Sequence, residues 1–298
     1  MIQRLRVQTI LFENSVNELR QTFPTLINSL SIASNRKSIK SWSVAWGDCS
    51  PQPLLSSKDV KRFAKEAHRS GGEFSYQHFA ENLGHGGGQN SLAKNGSQED
   101  FLLFLNPDLF VAPELIDRLV SSWTDSVGAI DARQIPLEHP KEYDPITGES
   151  SWASGACLLT NFAIFSGVRG FDHENFYMYG DDVDLSWRIR LAGYKVIHQP
   201  AAVVFHDKRL TTTADSQPSR TELYFSLQAL LNLSEIYSRP DWADAVIKKE
   251  LAQPQDFSFE VVNAFLERRA LNNFPPLRDL THTVAEFYPG GLYAKHRF

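Results

Sequence analysis

Residues Phe101–Phe110 read FLLFLNPDLF. Five consecutive apolar residues without polar alternation describe a strand buried on both faces, as in a sheet covered by helices on each side. Pro107 has no N–H to give to a ladder, so the strand stops there. Asp108 is thereby left just past the carboxyl end of a central strand, the edge at which open α/β sheets bind ligands. Asn, Pro and Asp are also favoured turn residues, and the triplet alone favours a plain turn.

The neighbouring segments fit such a sheet. Arg6–Phe12 has strand character, and Glu18–Leu30 places Leu19, Phe23, Leu26, Ile27 and Leu30 on one helical face. Ser41–Trp46 is a short strand ended by turn formers at Gly47–Pro51; Lys58–His68 is a helix and Glu73–Phe79 a strand. ENLGHGGGQNSLAKNG is expected to be a glycine-rich loop leading into a helix, and another helix is expected from Pro113. Strand and helix alternate, which predicts an α/β fold with a mixed, mostly parallel sheet flanked by helices. Residues 124–150 are expected to form surface loop and short strands. Ala156–Leu159 is a strand, and DDVDLSWRIRLAGY a helix closed by Gly193. Lys195–His198 and Ala202–Phe205 are two short strands ending at His206. A polar linker over 208–219 precedes an amphipathic helix, Arg220–Tyr237, so the expected organisation is a domain over 1–207 and a helical C-terminal extension over 208–298.

Composition removes several classes. A net charge of -5 without runs of Lys or Arg argues against a nucleic-acid partner. No apolar run reaches the length of a membrane span, and Gln8, Thr9 and Glu13 interrupt any signal-peptide core. Two cysteines, Cys49 and Cys157, give neither a disulfide framework nor a zinc motif and suit a reducing cytoplasm. Contact with the inner face of a membrane through an amphipathic surface stays open.

The chemistry concentrates in YMYGDDVDLSWRIRLAGY and AAVVFH. Asp181 and Asp182 follow Gly180 at a helix start, where the dipole stabilises each carboxylate by under about 1 kcal/mol. That accounts for one of them. In a cleft, desolvation and mutual repulsion raise the pKa of one partner, which suits a base that takes a proton from a hydroxyl. Asp184 stands four residues before Arg188, and a helix-surface ion pair explains it. His206 ends an apolar strand; alone it is more often structural than a ligand. Asp108 and His206 together make half a ligand set for Mg²⁺ or Mn²⁺, which a diphosphate would complete.

The order of these pieces resembles the inverting family 2 glycosyltransferases with the GT-A fold. The likeness rests on ENLGHGGGQNSLAKNGSQEDFLLFLNPDLFVAPELIDRLV and on SGACLLTNFAIFSGVRGFDHENFYMYGDDVDLSWRIRLAGYKVIHQPAAVVFH, and only loosely on Arg6–Ser50. It implies a nucleoside-diphosphate sugar donor and a hydroxyl acceptor on a glycan or lipid-linked glycan of a bacterial surface polysaccharide. Asp108 ends the family's Asp-x-Asp, and Asn106 replaces its first acid, as in members resembling rhamnosyl- and galactofuranosyltransferases; dTDP-rhamnose is the donor this suggests. Asp182 matches the catalytic base, Asp181 replaces the usual Glu beside it, and His206 matches a position that completes the metal site. Asp48 and Glu13 stand at altered nucleoside-binding positions, and Asn82, Gly84 and Gly87 in a loop expected to approach the donor. The segment 131–150 is expected to close over the donor. Phe287, Tyr288, Leu292 and Tyr293 are candidates for an acceptor site or a homodimer contact. The altered Glu13, Asn106 and Asp181 also admit a catalytically silent nucleotide-sugar-binding or scaffold protein.

Overall fold

The computed structural model describes residues 2–94, 100–136, 141–206, 218–289 and 291–295. Eight strands form one sheet: β1 (Ile2–Leu11), β2 (Ile39–Asp48), β3 (Glu73–His78), β4 (Asp100–Leu105), β5 (Leu109–Val111), β6 (Val127–Ile135), β7 (Cys157–Asn161) and β8 (Lys195–His206). Their order is β3-β2-β1-β4-β7-β6-β8-β5. The β1, β2, β3 and β4 pairings and β6 with β8 are parallel, while β7 runs against β4 and β6, and β5 against β8. The sheet is therefore mixed and mostly parallel, as expected.

FLLFL is central. Leu103 and Leu105 enter one core, packed by helices α1 (Val16–Asn35), α2 (Ser57–Arg69) and, beyond β5, α4 (Leu115–Ser121). Leu102 and Phe104 enter another, beneath α3 (Gly84–Ala93), α5 (Phe162–Gly167) and α6 (Asp181–Leu191). Burial on both faces is what the absence of polar alternation requires.

Three expectations are corrected. Where surface loop and short strands were expected, residues 127–135 form one nine-residue strand, β6, whose first six residues are buried. The two short strands after Gly193 are one strand, β8, whose register against β6 slips between Ala132 and Arg133; Pro200, which has no N–H to pair, lies in the stretch skipped. The glycine run is helical from Gly84 on. Added Cβ atoms would strike Phe171 at Gly86 (2.8 Å) and Ile10 at Gly88 (2.8 Å), so the glycines allow α3 to press onto its neighbours. A further short strand, β5, follows Asn-Pro-Asp where the sequence suggested only a turn before a helix. Most of the polar linker, 208–217, lies outside the described residues.

The C-terminal extension comprises α7 (Arg220–Ile236), α8 (Pro240–Ala252), α9 (Ser258–Ala270) and irregular chain. Ala229, Leu233 and Ile236 of α7, with Tyr237, bury against Val183 and Trp187 of α6, so this helix packs on the domain as its spacing suggested. Asp184, with no exposure, meets Arg188 of its own helix at 2.6 Å and accepts hydrogen bonds from Tyr237 (2.9 Å) and Arg278. Arg278 also pairs with Asp172 at 2.6 Å. The ion pair expected on a helix surface is a buried knot joining extension to domain. Arg278→Met removes one cation from it but leaves Arg188, so urea unfolding should show a loss of about 2 kcal/mol, below the 3–5 kcal/mol of a wholly broken buried pair.

Candidate active site

The carboxyl ends of the parallel strands open into a cleft of about 590 Å³. Asn106 and Asp108 border it from the β4–β5 turn, His206 from the end of β8, and Asp181 and Asp182 from the N-terminus of α6. Asn14 and Thr22 flank it beyond β1, the segment Trp152–Ala156 contributes Trp152, Ser154, Gly155 and Ala156, and the extension adds Glu222 and Tyr293.

Strand register explains why distant residues meet. β5 runs antiparallel to β8 with Leu109 opposite His206. The preceding residue, Asp108, thus falls beside the imidazole, and its Oδ2 lies 3.0 Å from His206 Nε2. His206 Nδ1 lies 3.1 Å from Gln134 Oε1, and Gln134 Nε2 donates to Ser154 Oγ at 2.8 Å. Asp108 remains 40% exposed, open to the cleft.

Across the cleft the chain makes a tight turn. Tyr179 and Gly180 both adopt left-handed backbone (φ 64° and 72°) before α6 begins, and a Cβ on Gly180 would come within 3.0 Å of Ala229 Cβ in α7. Glycine is what this conformation favours. Asp182 Oδ2 accepts from Gly155 N–H and Oδ1 from Val183 N–H, each at 2.8 Å. Burial first, and the Asp181 carboxylate second, push the Asp182 carboxyl up to about 6, against the Gly155 N–H, Lys141 and His85. Asp181 Oδ2 lies 2.7 Å from His85 Nδ1.

Beneath Trp152 lies a second buried charge centre. Lys141 Nζ sits 2.9 Å from Asp131 Oδ2 and 3.5 Å from the Trp152 ring centroid. Asp131 also accepts from Ser154 N–H and lies 2.8 Å from His198 Nδ1. Burial would raise the Asp131 carboxyl, but Lys141, His198 and the Ser154 N–H hold it below its ordinary value. Of the segment expected to close over the donor, residues 131–135 belong to β6, and the 143–150 turn is bridged at Tyr143–Ser150 and Glu149–Ile197. Residues 137–140 of that segment lie outside the described residues.

Five predicted residues, Asn106, Asp108, Asp181, Asp182 and His206, thus share one cleft. Glu13, Asp48, Asn82, Gly84 and Gly87 are not among its lining residues. Asp48 is wholly buried and accepts from Ser50 N–H (2.9 Å), Leu54 N–H (2.8 Å) and the Tyr76 hydroxyl. Those contacts outweigh the upward push of burial and hold its carboxyl low. Glu13 and Asn82 are exposed, while Gly84 and Gly87 abut Tyr177 and His173 in α3, outside the loop expected for them. Sequence reasoning missed His85, Gln134, Trp152 and Lys141; a lone imidazole among four glycines was the available signal for the first.

A divalent cation fits Asp108 and His206 as a pair of adjacent oxygen and nitrogen donors in an open cleft. Among the described residues no group of three or more such ligands exists, so further donors would come from substrate and water.

The mixed sheet with its flanking helices has the GT-A fold. Its solved likenesses include GalNAc-T7 with UDP, GalNAc and Mn²⁺ (TM-score 0.64, 14% identity, 95% of this chain and 57% of that one). The mannosyltransferase PcManGT of Pyrobaculum calidifontis, with GDP-Man and Mn²⁺, superposes at TM-score 0.55 with 13% identity over 94% of this chain and 84% of its own. Residues 56–181 match the model of Glycosyl transferase family 2. The chain is similar to N-acetylglucosaminyl-diphospho-decaprenol L-rhamnosyltransferase of Mycobacterium tuberculosis, 29% identical over 154 residues, 39% of this chain and 50% of the relative. Rhamnosyltransferase WbbL of Escherichia coli K12 is 38% identical over 55 residues, 18% of this chain and 20% of its own. The chain spans about half the length of the Mycobacterium relative.

The raised Asp182 carboxyl carries a stability consequence. A folded-state pKa above the unfolded value stabilises the fold at low pH, and that contribution is lost as pH rises through about 6. Asp182→Asn removes this penalty, so its stability relative to wild type should be greater at pH 8 than at pH 5 by about 1–3 kcal/mol in urea titrations.

Proposed function

We propose that the chain is an inverting glycosyltransferase that moves a sugar from a nucleoside-diphosphate donor to a hydroxyl of a glycan or lipid-linked acceptor. The observation that carries this reading is the convergence of Asp108, His206, Asp181 and Asp182 on one cleft. The rhamnosyltransferase relatives and the Asn-Pro-Asp turn support dTDP-rhamnose as donor and a bacterial surface polysaccharide as product. Work at the inner face of the membrane, by peripheral contact, suits a lipid-linked acceptor; among the described residues no helix is long and apolar enough to cross a membrane.

In this reading Asp182 takes the proton of the acceptor hydroxyl. The acceptor oxygen bonds to the anomeric carbon from the face opposite the diphosphate. The carbon–oxygen bond to the diphosphate breaks, and its electron pair leaves with that group. Configuration inverts in one displacement. The partly buried position of Asp182 and its raised proton affinity bring it near the optimum for a base at neutral pH.

Asp108 and His206 would hold Mg²⁺ or Mn²⁺ against the diphosphate, with Asn106 bordering the same turn. When bound, the cation offsets negative charge growing on the leaving group. His206 is 8% exposed and backed by Gln134, so its ring is held toward Asp108. Asn14 and Thr22 line the cleft next to β1, where the nucleoside end of the donor is placed. Asp48 acts there indirectly, by fixing the Ser50–Leu54 turn.

Asp182→Asn should cut transfer at least about a hundredfold while leaving nucleotide binding nearly intact. Asp108→Ala should instead weaken dTDP and UDP binding in Mn²⁺ and abolish the difference between Mn²⁺ and EDTA. Calorimetric titration beside a nucleotide-release assay with candidate acceptors checks both; full transfer activity in both variants defeats the reading.

A further inference from the structure

The acceptor side contains a third ionisable group that the family likeness does not use. His85 stands in the first turn of α3, between Gly84 and Gly86, and lines the cleft. Its placement depends on the missing side chains around it. A Cβ at Gly84 would come within 2.7 Å of the Tyr177 carbonyl, and one at Gly86 within 2.8 Å of Phe171 Cβ and 3.5 Å of Asp181 Oδ2. The glycine run thus presses the helix against residues 171–181, and the imidazole is held there edge-on to Phe171, ring centroids 5.3 Å apart.

His85 Nδ1 lies 2.7 Å from Asp181 Oδ2. A Cβ on Gly155 would lie 3.4 Å from His85 Cε1 and 3.2 Å from Asp182 Cβ, so the imidazole and the second carboxylate flank the same point. His85 Nε2 is buried without a hydrogen-bond partner among the described residues. Nδ1 is the ring nitrogen that faces a carboxylate, so the proton it carries is donated to Asp181. Asp181 accepts that bond, while Asp182, held among the described residues by two backbone N–H groups, keeps lone pairs for a substrate hydroxyl.

We propose that His85 is the positioning residue of the acceptor side: it fixes Asp181 as its anionic partner and so assigns the acceptor's proton to Asp182. This rests on the glycosyltransferase reading and deepens it. The base is then a His–Asp–Asp cluster, in which Asp181 raises the proton affinity of Asp182 and His85 moderates that rise. The groups facing the ring agree in sign. Asp181 and Asp182 of α6 lift the His85 imidazole above its usual pKa, against burial, which alone would lower it. Lys141, beneath Trp152, acts with His85 to lower Asp182. His173 and Tyr177 touch α3 at Gly87 and Gly84, to either side of His85.

Carboxyl-carbon NMR titration of the protein without substrate tests this, with the Asp182 signal assigned by its loss in Asp182→Asn. The wild-type midpoint is expected near 6. His85→Phe should move it up by about one unit, His85→Gln, a neutral donor, by less, and Asp181→Asn should move it down. A merely structural His85 would give no such opposed pair of shifts. An unmoved Asp182 midpoint in a folded His85→Phe overturns the proposal. Should that variant fail to fold, opposite shifts in His85→Gln and Asp181→Asn support it, and equal or absent shifts overturn it. No sugar nucleotide enters this experiment, so failure here is separate from failure of the transferase reading, which is decided by dTDP- and UDP-sugar binding to the wild type.

Discussion

Asp184 carries a charge with no exposed surface, and the groups that neutralise it come from two distant parts of the chain: Arg188 from its own helix, Arg278 and Tyr237 from the C-terminal extension. An unpaired carboxylate there would be strongly unfavourable. The extension thus supplies part of the neutralisation that this position requires, and Trp187, packed edge-on against Tyr237 with centroids 4.7 Å apart, adds an apolar contact to the same junction. Because α6 is eleven residues long and buried along most of them, fixing Asp184 also fixes Asp181 and Asp182 one turn earlier. The extension acts on the cleft both through this knot and by lending Glu222 and Tyr293 to its wall.

That arrangement sets stability against chemistry. A carboxylate made a better base by desolvation is a carboxylate that resists ionising in the folded state. The left-handed pair Tyr179–Gly180 concentrates backbone strain beside it. The well-packed cores above and below β4, and the knot around Asp184, are what hold such a turn in place.

Much of the fold was legible because its signals are local. FLLFL declares a central strand through unbroken hydrophobicity, and Pro107 declares its end. The glycine and acid signals at residues 180–182 mark a helix start. The meeting of Asp108 with His206 was legible only as a bet, since β5 is three residues long and its pairing with β8 leaves no mark in composition. The length and burial of β6 were underestimated because IDARQI mixes polar and apolar residues, although Asp131 inside it is buried and satisfied by Lys141, His198 and Ser154. A buried charge is invisible until its partners, ten or sixty-odd residues away, are placed. His85 was hidden by its setting: glycines read as loop formers, whereas here they permit close packing of a helix.

The segment Trp152–Ala156 joins the two sides of the cleft. Its Gly155 N–H holds Asp182, its Ser154 N–H holds Asp131, and its Ser154 hydroxyl meets Gln134, which in turn faces His206. A Cβ on Gly155 would lie 3.2 Å from Asp182 Cβ and 3.4 Å from His85 Cε1, so a side chain there would press on both. Asp182 and His206 are thus referenced to one short stretch of main chain. In the transfer proposed above, proton removal and departure of the diphosphate would occur in a single displacement, which requires both groups at fixed distances from the same carbon. A shared backbone support meets that requirement more stiffly than two independent loops would, because a shift of either side is carried to the other through the same peptide units.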